Sequence, residues 1–143
     1  MSYEPTKKEI IKEVIRCGKD ADYFINNYAI LKARQLGIST IVSAYVAWMM
    51  LFHKDKNILV MATKFQTAAN LVKKVKSIMK NLPHWMRIAE ISIDNRTSFE
   101  LSNGSQIKAS TTSSDAGRSE ALSLLVIDEA AHVEGLEELW TGL

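Results

Sequence analysis

Apolar positions along this chain recur with two periods, and the switching between them predicts its elements. From Thr6 to Cys17, Ile10, Ile11, Val14 and Ile15 fall on one helical face, and Thr6 with Glu9 has the spacing of a capping box. Asp20 to Asn27 reads as a second short helix. Ala29 to Lys32 reads as a short buried strand leading into a loop at Arg34 to Gly37. Ser39 to Phe52 is an apolar helix expected to pack under a sheet, and Asn57 to Ala62 is the next strand. Phe65 to Asn81 is amphipathic, with Leu71, Val75 and Ile78 inward and Lys73, Lys74, Lys76 and Lys80 outward; Pro83 ends it. Phe99 to Leu101 and Ile107 to Ala109 flank Asn103-Gly104, a hairpin signal because both residues tolerate positive φ. Ser123 to Asp128 is a further strand whose unbroken apolar run, Leu124 to Ile127, predicts cover on both faces. Leu136 to Trp140 begins a helix.

This alternation predicts an α/β fold: a mainly parallel sheet flanked by helices, with an inserted β-hairpin. The expected division is an N-terminal helical segment over 1–28 and one α/β domain over 29–143. A parallel domain that stops one helix after its last strand is expected to be incomplete.

Composition narrows the class only slightly. A 143-residue chain with 47% hydrophobic and 24% charged residues can bury a core and is globular in type. Its net charge of +2 gives no bulk argument for nucleic acid, so any such contact must come from a local patch. Cys17 is the only cysteine, which excludes an internal disulfide and fits an intracellular protein. The N-terminus lacks the apolar stretch of a signal peptide, and the longest apolar run, Ala44 to Phe52, is far short of a membrane span. His53, His84 and His132 have no zinc-site spacing. The lysines of the 65–81 helix could face DNA phosphates, but a solvated helix face is the simpler reading. Trp48, with Met49 and Met50, reads as core, and Trp85 as packing against the end of the preceding helix.

The chemistry concentrates in two places. Lys32-Ala-Arg-Gln-Leu-Gly-Ile-Ser-Thr40 lies between a predicted strand and a predicted helix, where backbone N–H groups and the helix dipole favour an anion. The usual phosphate-loop spelling is G-x-x-x-x-G-K-[ST]. Here Ala33 stands near the first glycine, Gly37 holds the second, and Ile38 replaces the lysine. Ser39 keeps a hydroxyl suited to magnesium, beside Thr40. Lys32 is placed to restore the missing cation, and Arg34 offers a planar guanidinium for bidentate phosphate contact. Gln35 and Leu36 complete the loop. Far downstream, Asp128 and Glu129 close an apolar strand, at the edge where open α/β sheets place ligands. There Asp128 would hold magnesium and Glu129 would polarise a water. Alternatively, the pair caps the helical turn that begins at Ala130.

The chain resembles the N-terminal ATPase region of the large terminase subunit of tailed phages. The resemblance runs through Leu31 to Thr40, Asp55-Lys-Asn-Ile-Leu-Val60, Leu101-Ser-Asn-Gly-Ser105, Asp115-Ala-Gly-Arg-Ser119 and Leu125-Val-Ile-Asp-Glu-Ala-Ala131. It implies a P-loop NTPase fold of the ASCE type and ATP hydrolysis with magnesium that drives double-stranded DNA into a prohead. It also implies a portal protein, a small terminase subunit and a homo-oligomeric ring as partners, and the host cytoplasm as the place of assembly, with no membrane. By this resemblance Lys32 is the relocated loop lysine and Arg34 the in-loop arginine that senses the γ-phosphate. Ser39 and Asp128 are metal residues, Glu129 is the catalytic carboxylate, and Arg118 matches an arginine acting on a neighbouring subunit.

The chain departs from that family in two ways. Tyr28 runs almost directly into the first strand, where the family carries a longer stretch with an adenine-contacting region. Nothing follows Leu143, where the family continues into a coupling motif and a nuclease domain. A truncated, non-catalytic remnant that binds nucleotide or DNA is therefore an alternative expectation, as is another P-loop motor such as a helicase.

Overall fold

The computed structural model describes residues 29–31, 36–112 and 121–133. Two compact units divide the chain, Met1–Leu36 and Gly37–Leu143, and the described elements belong to the second. Helix α1 spans Ile38–Phe52 and strand β1 spans Asn57–Ala62; helix α2 spans Phe65–Asn81. A 3-10 turn at His84–Met86 leads to β2 (Ile91–Asp94), β3 (Ser98–Leu101) and β4 (Gln106–Thr111). Strand β5 (Leu124–Asp128) and a 3-10 turn at Ala130–His132 close the order.

The core forms where the predicted periods place it. α2 buries Ala68, Ala69, Leu71, Val72, Val75 and Met79, a stripe at helical spacing, against β1. Five of the six β1 residues are buried, because β1 is the strand with helices on one face and a second apolar layer on the other. Ile58, Val60 and Ala62 meet the helices, together with Phe99, Leu101 and Ile107. Leu59 and Met61 face away and pack with Leu122, Leu125 and Ile127. α1 contributes Val46, Ala47, Met50 and Leu51 to the helix-side core. Its opposite face carries Ile41, Tyr45, Trp48 and Phe52, all exposed, so Trp48 is not the core residue its sequence neighbourhood predicts.

The five-stranded sheet has the order β2-β3-β4-β1-β5. β1 pairs in parallel with β4 and with β5, whereas β2–β3 and β3–β4 are antiparallel. The sheet is therefore mixed, and the expectation of a mainly parallel one is corrected. Only three residues separate β2 from β3, and a short turn joins β3 to β4, too little chain for the crossover that a parallel pair requires. The expected hairpin is present at Asn103-Gly104, with β2 added beside it. Its turn differs from the predicted two-residue form: the Gly104 N–H bonds to the Leu101 carbonyl at 3.0 Å and the Leu101 N–H to the Ser105 carbonyl at 2.8 Å. Only Gly104 takes a positive φ, +83°. This is a three-residue loop ending in a left-handed glycine.

Three further expectations change. Ala29–Leu31 form no strand, and Ile30 and Leu31 are exposed. β5 is half-buried along its whole length, not covered on both faces, because β1 is its only strand partner among the described residues. Trp85 projects from the 3-10 turn into solvent and does not pack against α2.

Candidate functional site at the carboxyl edge of the parallel strands

Gly37 opens α1 from a left-handed conformation, φ 75° and ψ 5°, which glycine adopts without steric cost. Its carbonyl accepts the Thr40 and Ile41 N–H groups at 2.9 and 3.1 Å, which starts the helix. Among the described residues no side chain caps this end, and its first turn holds no acid to meet the helix's positive pole. A β-carbon added to Gly37 would meet none of the described residues within 4 Å. Ser39 is half-buried and Thr40 exposed; Ser43, fully buried, donates its hydroxyl to the Ser39 carbonyl at 2.6 Å. Leu36 is exposed. Lys32, Ala33, Arg34 and Gln35, and Arg118, lie outside the described residues.

The acidic pair sits at the end of β5. Asp128 is in register with Ala62, the last residue of β1, and Ala62 is in register with Thr111 on the other side. Leu124 and Val126 pack on the helix side of the sheet, and Asp128 continues their alternation, so it lies on that same face. Its Oδ1 accepts the Glu129 N–H at 3.0 Å. Glu129 is left-handed, φ 57° and ψ 37°, a conformation uncommon for a residue with a β-carbon. It occupies the N-cap position of the 3-10 turn, yet its side chain makes no cap hydrogen bond. The Glu129 carbonyl, not its carboxylate, accepts the His132 N–H at 2.9 Å.

Chain direction brings these parts to one edge. α1 returns to β1 through the short link His53–Lys56. Its 15 residues rise about 22 Å and the six of β1 extend about 20 Å, so the two are matched in length. The Gly37 end of α1 and the Asp128 end of β5 therefore lie at the carboxyl edge of the parallel strands, both on the helix side. That edge is where open α/β sheets bind ligands.

Elsewhere the structure narrows the options. The Lys76 ammonium hydrogen-bonds Asp94 Oδ1 and also sits 5.5 Å from the centre of the Phe99 ring. Lys80 reaches Asp94 Oδ2 at 3.1 Å. These two lysines hold the Asp94 carboxyl below its ordinary range. Half of the expected basic face of α2 is thus tied to a β2 carboxylate that sequence periodicity gave no reason to place there. No cluster of three or more metal-ligating side chains occurs among the described residues, and none of their helices is long and apolar enough to cross a membrane.

Asn103 was visible in the sequence only as half of a turn signal, yet its side chain fastens the far end of α1. Its Nδ2 donates to the Met50 carbonyl at 2.8 Å and to the His53 carbonyl at 3.3 Å, while Oδ1 accepts the Ser105 N–H at 3.0 Å. The Ser105 hydroxyl adds a bond to the His53 carbonyl at 2.9 Å. The hairpin turn therefore satisfies carbonyls that a helix C-terminus leaves open.

Residues 29–142 match the protein family described as terminase large subunit, T4likevirus-type, N-terminal. That match spans nearly the whole chain and contains both the glycine turn of α1 and the acidic end of β5, and so the chain belongs to the terminase large-subunit family, through its N-terminal domain.

Proposed function

We propose that this chain is the ATP-hydrolysing module of a phage DNA-packaging motor. Membership of the terminase large-subunit family implies a role in phage DNA packaging. The observation that supports catalysis most is Asp128, with Glu129 next to it, at the same sheet edge and on the same face as the glycine-opened end of α1. The donor set fits magnesium-ATP: a glycine turn at a helix N-terminus, a serine hydroxyl, and two adjacent carboxylates at a strand end. Magnesium-ATP would supply an electrophilic phosphorus and a charge-neutralising cation.

In this reading each residue has a separate task. Main-chain N–H groups at Gly37 to Ser39 bind the phosphate oxygens. Ser39 and Asp128 hold the metal. Lys32 and Arg34 add positive charge at the phosphates, and Arg118 acts across to a neighbouring copy. Glu129 orients the attacking water and accepts its proton on a carboxylate oxygen. The bond from the terminal phosphorus to the bridging oxygen breaks, giving ADP and phosphate. Double-stranded DNA, a portal protein, a small terminase subunit and a ring of copies are the partners of this activity.

Glu129→Gln tests the assignment. The variant keeps size and hydrogen bonding but loses the proton acceptor, so it should retain ATP while phosphate release falls about 100-fold or more. Phosphate release by Glu129→Gln at the wild-type rate would exclude Glu129 as the base. One observation favours a second reading, nucleotide binding without turnover: Ala29–Leu31, ahead of the loop, form no strand, and Ile30 and Leu31 are exposed. Binding of magnesium-ATP with no phosphate release, even with DNA and intact subunits present, would establish that reading.

A further inference from the structure

Asn103-Gly104 is the only Asn-Gly pair in the sequence. The pair has a chemistry of its own besides its turn preference. Glycine has no β-carbon to shield its main-chain nitrogen, so that nitrogen can attack the side-chain carbonyl carbon of the asparagine before it. In this fold the attacked group is the one on which the end of α1 hangs. Asn103 Nδ2 donates to the Met50 and His53 carbonyls at 2.8 and 3.3 Å, and Oδ1 accepts the Ser105 N–H at 3.0 Å.

The folded turn opposes both halves of the reaction. The attacking nitrogen must first lose its proton, and the Gly104 N–H is donated to the Leu101 carbonyl at 3.0 Å. The side-chain nitrogen must leave, and its hydrogens are held by two carbonyls of α1 and the link after it. Ser105 fixes the turn from below. It is fully buried, and its hydroxyl donates to the His53 carbonyl at 2.9 Å and accepts the Lys56 N–H at 3.3 Å.

We propose that Asn103 is a self-modification site: it deamidates through a succinimide formed with the Gly104 nitrogen, at a rate set by opening of this turn, and the product unfastens α1. The bond from the Gly104 nitrogen to Asn103 Cγ forms, the Cγ–Nδ2 bond breaks, and the glycine proton departs with Nδ2 as ammonia. Water then opens the ring at either of its carbonyls, leaving aspartate or isoaspartate at position 103. In sum, water enters and ammonia leaves, with no oxidant or metal. Aspartate sets a carboxylate against the negative pole of α1, and isoaspartate adds a methylene to the main chain of the turn. Either product leaves the last carbonyls of α1 without the Asn103 donor. The change runs one way, so a chain that has reacted once stays loosened. The inference does not depend on nucleotide binding.

The test incubates the full chain at mildly alkaline pH, folded and in denaturing urea, and reads the mass gain and isoaspartate at position 103 by peptide mapping. Conversion is expected in urea, and at least about tenfold slower in the folded chain. Hydrogen exchange at the Gly104 amide supplies the second measurement. Both processes remove the proton from the same nitrogen, so folding should slow deamidation by at least the factor by which it slows that exchange. Ser105→Ala should raise both rates in the folded chain at least about threefold. The modified chain, separated by ion exchange, should unfold at a lower urea concentration than the unmodified one. Conversion as fast in the folded chain as in urea, deamidation slowed less than exchange, or an unchanged midpoint in the modified chain would each overturn the proposal.

Discussion

Replacing Asn103 with alanine removes three hydrogen bonds at once, and the structure sets the size of the effect. Nδ2 holds the carbonyls of Met50 and His53 at the end of α1, and Oδ1 holds the Ser105 N–H. The bonds at 2.8 and 3.0 Å are partly buried, and each is worth about 1 kcal/mol net. The third, at 3.3 Å and exposed, adds little. Asn103→Ala should therefore cost about 2–3 kcal/mol, a large part of the ~5–15 kcal/mol that stabilises a typical domain. Urea denaturation followed by circular dichroism reads this as a lower midpoint at an unchanged slope. Asn103→Asp refines the test, because it keeps the acceptor and turns the donor into a carboxylate facing the negative pole of α1. It should be less stable than the alanine variant at pH 7 and recover relative to it as the carboxylate protonates in acid. A loss below about 0.5 kcal/mol in the alanine variant would show that the turn does not hold the helix end.

Gly104→Ala should cost about 1–2 kcal/mol, since φ is +83° and the new β-carbon would stand 2.2 Å from Asp55 Oδ1. Asp55→Gly in the same chain should recover part of that loss in the same melt, because it removes the clashing carboxylate and relieves a second positive φ of 55°. The pH dependence of unfolding tests the Lys76–Asp94–Lys80 cluster. The folded state lowers the Asp94 pKa from its ordinary 3.8, so the resulting stability is present above that value and is lost as pH falls through the lower folded value. Asp94→Asn should flatten the decline in urea midpoint on the acid side of pH 4. An unchanged acid limb would exclude the cluster as its source.

Strongly periodic segments were legible because one face of each is decided by burial. α2 shows this best, since its apolar stripe and lysine face needed no tertiary information. β2 escaped notice because Ile91 and Ile93 alternate over only four residues, too short a run to separate from a loop. Ala29 to Lys32 failed in the opposite sense. An apolar run reads as a strand, but a strand exists only with a ladder partner, and composition does not supply one.

Trp48 misled for a related reason: a helix without charges looks buried all round, and residue type does not say what stands opposite each face. At the candidate site, the position of Asp128 and Glu129 at a strand end followed from the apolar run before them. The left-handed backbone of Glu129 did not, since neither glycine nor asparagine marks it. The bond from Lys76 to Asp94 spans 18 residues and follows no local spacing rule.

The fastening of α1 at one end has a mechanical consequence. Its last turn is clamped by Asn103 and Ser105, while its first turn opens on a left-handed glycine with no side-chain cap. A helix packed along its middle and pinned at its tail has most freedom at its first turn, about the clamped end as pivot. Over a length of about 22 Å, a shift of about 1 Å at the glycine end corresponds to a tilt of about 3°. The hairpin would register such a tilt as torque on β3 and β4, and the sheet could feel events at its carboxyl edge through the turn at its opposite edge.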